Sequence, residues 1–326
     1  MKKIQLLMAL VVVVCMGLNG CSIASTKANT STATASSSSQ SEDNNSTTSS
    51  TQDDSNFQDV INQNSSKFQQ LSFEDPDTGV TLQYNLYVPK DYDPSKTYPL
   101  LMFIPDATSV GKTPLEIAQQ YYGADIWVTD EDQAKHESFV LVPAFSETVV
   151  NDDWSTSNQI DTTVKLINKL KDKYSIDNNR IYSTGQSMGC MTSLYLSSKY
   201  PDLFAAYLFV SGQWDISVLK GLENDKFFYI TADGDTKASG GQQEVIQMFD
   251  NEGIGYTYET WSAQESLDAQ NQDVNDMIAQ GTNANMIRFE KGTVLKPGQT
   301  DMEHMASFDY AYQLSAVRDW LFEQSK

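Results

Sequence analysis

The chain has 326 residues, with 22 Lys and Arg against 43 Asp and Glu and a formal net charge of −21. No basic stripe is available to neutralise phosphates, which excludes nucleic acid as a partner and leaves the acidity as a matter of solubility. Hydrophobic residues make up 40% of the sequence, sufficient for one large domain with a buried core, and no internal repeat is evident.

At the N-terminus, Lys2 and Lys3 precede a nearly continuous apolar run over residues 4–18, with small residues following at Gly20 and Cys21. This is the pattern of an export signal, and the run is too short for a membrane span, which takes about 20 apolar residues. Leu18-Asn19-Gly20-Cys21 resembles a bacterial lipobox. The resemblance implies a signal peptide over residues 1–20 and fatty acylation of Cys21, with a group such as palmitate. The protein would then be held by its lipid alone on the extracytoplasmic face of the cell membrane. Loss of Lys2 and Lys3 would take the net charge to about −23. Cys15 leaves with the signal and Cys21 is modified, so Cys190 remains as a single thiol and no intramolecular disulfide is expected. Residues 21–57 are dominated by Ser, Thr, Asn and Ala and read as a disordered tether; residues 58–326 read as the folded domain.

Within that domain, residues 71–73 and 80–88 flank the turn Asp75-Pro76-Asp77-Thr78-Gly79 and read as an antiparallel hairpin. Continuous apolar runs then recur at residues 100–104, 139–143, 180–184, 205–210 and 227–230, with another strand at 286–289, as buried parallel strands would give. Residues 159–174 form an amphipathic helix with Ile160, Val164, Leu166, Ile167 and Leu170 on its apolar side. The fold class is therefore α/β: a mostly parallel central sheet, an antiparallel N-terminal hairpin and helices on both faces, with the site expected at the carboxyl ends of the strands. Residues 262–280 read as a polar helical insertion that could partly cover the site, and residues 308–322 as a closing helix.

Gly185-Gln186-Ser187-Met188-Gly189 follows a strand and precedes an apolar helix over residues 190–200, the context of a nucleophile elbow. The sharp turn presents the serine hydroxyl above the sheet, and the flanking glycines avoid side-chain clashes. Only His136 and His304 can serve as base. His304 follows the serine, as the order Ser, acid, His of the α/β-hydrolase fold requires; it is placed in a loop before the closing helix. Asp233 and Asp235, after the strand at 227–230, both qualify as the acid, because spacing alone does not separate them.

The domain resembles the α/β-hydrolase esterases and secreted peptidases that include feruloyl-esterase-like and polyhydroxybutyrate-depolymerase-like enzymes. The resemblance covers most of residues 68–324 and is most specific from Lys173 through Asn178-Asn179-Arg180-Ile181-Tyr182, the elbow, and Tyr200-Pro201-Asp202-Leu203-Phe204. It implies a serine hydrolase acting on carboxylic esters, with Ser187, His304 and Asp235 as a triad. Met188 and a backbone N–H near Ala107 would form the oxyanion hole, and Trp154, Trp214 and Gln186 would contact substrate. Relatives usually carry His-Gly where this chain has Pro105-Asp106, a departure that bears on the oxyanion hole; Asp106 reads as a turn or cap residue. Cys190 reads as a buried small side chain. Small-molecule or polysaccharide-linked esters are the expected substrates. A serine peptidase of the same fold and an inactive surface-binding module are the alternatives. No metal cluster or glycine-rich phosphate loop is present in the sequence, so no cofactor or metal is expected.

Overall fold

The computed structural model describes residues 50–300 and 302–326. The export signal, Cys21 and the tether up to residue 49 lie outside the described residues. The first described helix, α1 (Ser50–Asn64), opens ahead of the boundary at residue 58 that composition alone suggested.

Nine strands form a single sheet among the described residues, in the order β1-β2-β4-β3-β5-β6-β7-β9-β8. They are β1 (Gln69–Glu74), β2 (Thr81–Tyr87), β3 (Tyr98–Ile104), β4 (Phe139–Ala144), β5 (Ile176–Gln186), β6 (Ala206–Val210), β7 (Phe227–Ala232), β8 (Tyr256–Trp261) and β9 (Ala284–Phe289). β1 and β2 pair antiparallel, as do β2 and β4, and every other pairing is parallel. The hairpin turn closes through Gly79, at φ 72°, whose N–H donates to the Asp75 carbonyl. The buried Asp75 carboxylate takes Lys165 at 2.8 and 2.9 Å, which holds it well below the usual carboxylate range. That bond ties the hairpin to α5 (Gln159–Lys173).

Alternation along β3 divides the core in two. Leu101 and Phe103 join the layer beneath α1, α2 (Pro114–Ala118), α3 (Tyr122–Asp125), α8 (Leu267–Ile278), α9 (Glu303–Gln313) and α10 (Ser315–Glu323). Leu100, Met102 and Ile104 join the opposite layer, filled by α5, α6 (Met188–Lys199) and α7 (Thr236–Glu252). A central strand buried on both faces in this way reads as a continuous apolar run, which is why the parallel strands were conspicuous in the sequence. The remaining short helix, α4 (Asp130–Lys135), is tied to α10 by the buried Asp132–Arg318 pair at 3.0 Å.

Two expectations need correction. The closing helix is two helices, α9 and α10, broken at Leu314. The insertion at 262–280 is the β8–β9 crossover, with α8 packed beside α10 and no residue on the cavity described below; it is not a lid.

Candidate active site

β5 ends at Gln186 and α6 begins at Met188, so the whole reversal is made by Ser187, at φ 52° and ψ −116°. A non-glycine residue adopts this conformation only where its surroundings enforce it. Two contacts do so here. The Ser187 N–H donates to the Val210 carbonyl at 3.0 Å, and α6 lies so close to β3 that a Cβ on Gly189 would stand 1.9 Å from the Ile104 carbonyl oxygen. A Cβ on Gly185 would meet the Gly189 backbone at 2.6 Å, so both motif glycines are required by close approach.

His304 lies in the first turn of α9 rather than in a loop, following Met302 at φ 71°. Its Nε2 stands 2.8 Å from Ser187 Oγ and its Nδ1 2.5 Å from Asp235 Oδ2. Asp235, nearly fully buried, also caps α7, its Oδ1 accepting from the Ala238 N–H at 3.2 Å. The Asp233 carboxylate is half exposed and 3.9 Å from the Arg288 guanidinium. The structure therefore brings Asp235 to the imidazole, and Asp233 stands apart. His136, the other histidine, bonds Asp319 at 2.7 Å and stacks on Phe322.

The serine, Asp235 and His304 open onto a cavity of about 440 Å³. Ala107, Val150, Met188 and Met191 give it an apolar wall, and Asn151, Asp152, Gln213 and Lys237 a polar mouth. Asp152 accepts from Lys237 at 2.6 Å and from Gln213 at 3.2 Å, linking two loops and the first turn of α7 across that mouth. No sequence motif marks these residues; they meet only through the topology. Ala107 and Met188 each open a helical segment, where main-chain N–H groups have no intrahelical acceptor.

Asp106 is buried and faces away from the cavity. Its Oδ1 accepts from the Thr108 N–H at 2.8 Å, the Thr108 hydroxyl at 2.6 Å and the Tyr121 hydroxyl at 3.0 Å. It caps the turn Ala107–Ser109, the role read for it in the sequence.

Three expected substrate contacts are corrected. Gln186 is buried and donates to Asp106 Oδ2 at 2.9 Å, away from the cavity, because its side chain belongs to the strand and not to the elbow. Trp214 is buried and packs on Tyr195, and the more exposed Trp154 meets Trp214 edge to face with centroids 5.3 Å apart. Neither indole lines the cavity. Cys190 is buried, which pushes its thiol pKa well up and makes it a poor nucleophile. Among the described residues no group of three or more His, Cys, Asp or Glu is placed to hold a metal ion.

Two features near His304 carried no sequence signal. The buried Glu303 accepts from the Gly234 and Gly292 N–H groups at 2.8 and 3.0 Å. Ser307 donates to the His304 carbonyl at 2.9 Å and is joined at 2.7 Å to Ser211, which itself sits at φ 48°.

Residues 76–314 match a family model described as "Putative esterase". The chain belongs to this esterase family. Its fold is that of the α/β hydrolases, and the solved structures agree with that fold. A thermostable esterase is 26% identical over 80% of this chain, with a TM-score of 0.63, and this chain spans 64% of that protein's length. A ferulic acid esterase is 12% identical, with a TM-score of 0.52 over 79% of this chain and 98% of its own, a likeness of fold alone. No curated protein matches the chain.

Proposed function

We propose that this esterase-family protein is a serine carboxylesterase working through Ser187, His304 and Asp235. The observation that carries the reading is the unbroken relay from Ser187 Oγ through both imidazole nitrogens to Asp235, at 2.8 and 2.5 Å. With Nδ1–H donated to Asp235, Nε2 is left to accept the serine proton. Ser187 Oγ attacks the ester carbonyl, the proton passes to His304 Nε2, and the alcohol leaves with that proton. Water then attacks the acyl-enzyme by the same route and releases the acid. Met188 and Ala107 line the cavity with the serine, and their main-chain N–H groups would receive the developing oxyanion.

Fluorophosphonate labelling of the purified chain, followed by p-nitrophenyl acetate hydrolysis, tests this reading. Labelling and turnover that vanish in Ser187→Ala and His304→Ala support it, and a folded wild type that does neither overturns it. We also propose that Cys21 carries the lipid that holds the chain at the membrane, a reading supported by its sequence context. Labelling cells with a fatty-acid analogue and finding no incorporation that depends on Cys21 would refute it.

A further inference from the structure

We infer that Glu303 is a positioning residue that fixes Asp235 against His304, an inference that rests on the triad reading above. Glu303 immediately precedes His304, and Gly234 immediately precedes Asp235. The two segments are therefore joined twice in parallel: Asp235 Oδ2 to His304 Nδ1 at 2.5 Å, and the Gly234 N–H to Glu303 Oε2 at 2.8 Å. The other oxygen of the same carboxylate, Oε1, accepts from the Gly292 N–H at 3.0 Å, which brings in the loop after β9. One buried side chain thus ties the acid loop, the β9 loop and the start of α9 together.

The chemistry suits rigidity. The buried Glu303 carboxylate is held by main-chain donors, one on each oxygen, from two glycines whose backbone has no side chain in the way. The acid loop is shaped to receive it: a Cβ on Gly234 would fall 2.0 Å from a Glu303 carboxylate oxygen, so only glycine lets the carboxylate reach that N–H. On the far side of the imidazole segment, Ser307 and Ser211 hold the next turn of α9. Glu303 itself does not line the cavity, so it acts through Asp235 and His304 and not on substrate.

The test uses the whole chain, with Glu303→Gln as the main variant, since an amide NH2 would face one of the two N–H donors. Two quantities are read: kcat and KM for p-nitrophenyl acetate, and the downfield proton resonance of the His304 Nδ1–H, assigned in a His136→Gln background. We expect kcat to fall about 10- to 100-fold, as a misplaced catalytic group gives, with KM within about twofold and the His304 resonance lost or moved upfield. Glu303→Asp, too short to reach both amides, should lie between and serves if Glu303→Gln does not fold. A folded variant that keeps both kcat and the resonance overturns the inference. So does a fall in kcat with the resonance intact, which would place the effect elsewhere. An inactive wild type whose resonance still depends on Glu303 would overturn the esterase reading and leave the positioning role standing.

Discussion

The side-chain amide of Gln186 donates to Asp106 across 2.9 Å, joining the residue before the nucleophile to the residue before Ala107. The two strands that lead into Met188 and Ala107 are thereby locked to each other behind the cavity. Asp106→Ala should strand the donors on Thr108, Tyr121 and Gln186, at about 2–3 kcal/mol of stability. It should also lower kcat more than it raises KM, by up to about 100-fold, if the Ala107 N–H serves the oxyanion. Chemical denaturation and steady-state kinetics on one preparation check both, and an unchanged kcat would remove Ala107 from the oxyanion hole.

Gly189→Ala should be among the most damaging single changes. The added Cβ would stand 1.9 Å from a main-chain oxygen of β3, which has no rotamer with which to retreat. A loss of about 3 kcal/mol or more is expected, toward the upper end for overpacking, together with loss of fluorophosphonate labelling as the elbow opens. Thermal melting that matches wild type would contradict the packing described here.

The two tryptophans should separate cleanly. Trp214 is buried against Tyr195, and its truncation should cost about 3–5 kcal/mol. Trp154 is 41% exposed, and its truncation should cost about 1 kcal/mol or less. Because neither lines the cavity, KM for p-nitrophenyl acetate should stay within about twofold in Trp154→Ala.

Asp125 gives a pH signature. It is fully buried with both carboxylate oxygens unpartnered, and burial pushes its pKa up to about 9. The folded state therefore holds this proton more tightly than the unfolded one. Its contribution is fully present below about pH 4 and is lost as pH rises toward about 9. Asp125→Asn should gain on wild type over that window, by at most about 1.4 kcal/mol per pH unit. Urea midpoints of both chains at pH 5, 7 and 9 measure it, and a constant difference would refute the assignment.

Much of this arrangement is written locally. The hairpin turn, the buried strands and the elbow each depend on residues within a few positions of one another, and the histidine was found because only two exist. What escaped depends on distant partners. β8 buries only Thr257 and Trp261 at the sheet edge, so it lacks the apolar run that betrayed the central strands. Asp235 and Asp233 share a loop, and only the position of α9 separates them. Gln186 was misassigned because it sits in a functional motif, while its orientation follows the two-residue period of β5. The roles of Glu303 and Asp152 are contacts between segments far apart in the chain, with nothing local to announce them.

Phe57 of α1 rests against Tyr122 at 4.6 Å between ring centroids and against Tyr310 of α9 at 6.3 Å. The first described helix thus packs on the same helix that bears His304. Trimming the gene at residue 58, where low-complexity composition invites the cut, would expose two tyrosines and loosen the far side of α9. A recombinant product that begins ahead of Ser50 should melt higher and keep a fuller complement of active protein than one that begins after Phe57, although the two differ only in what looks like linker.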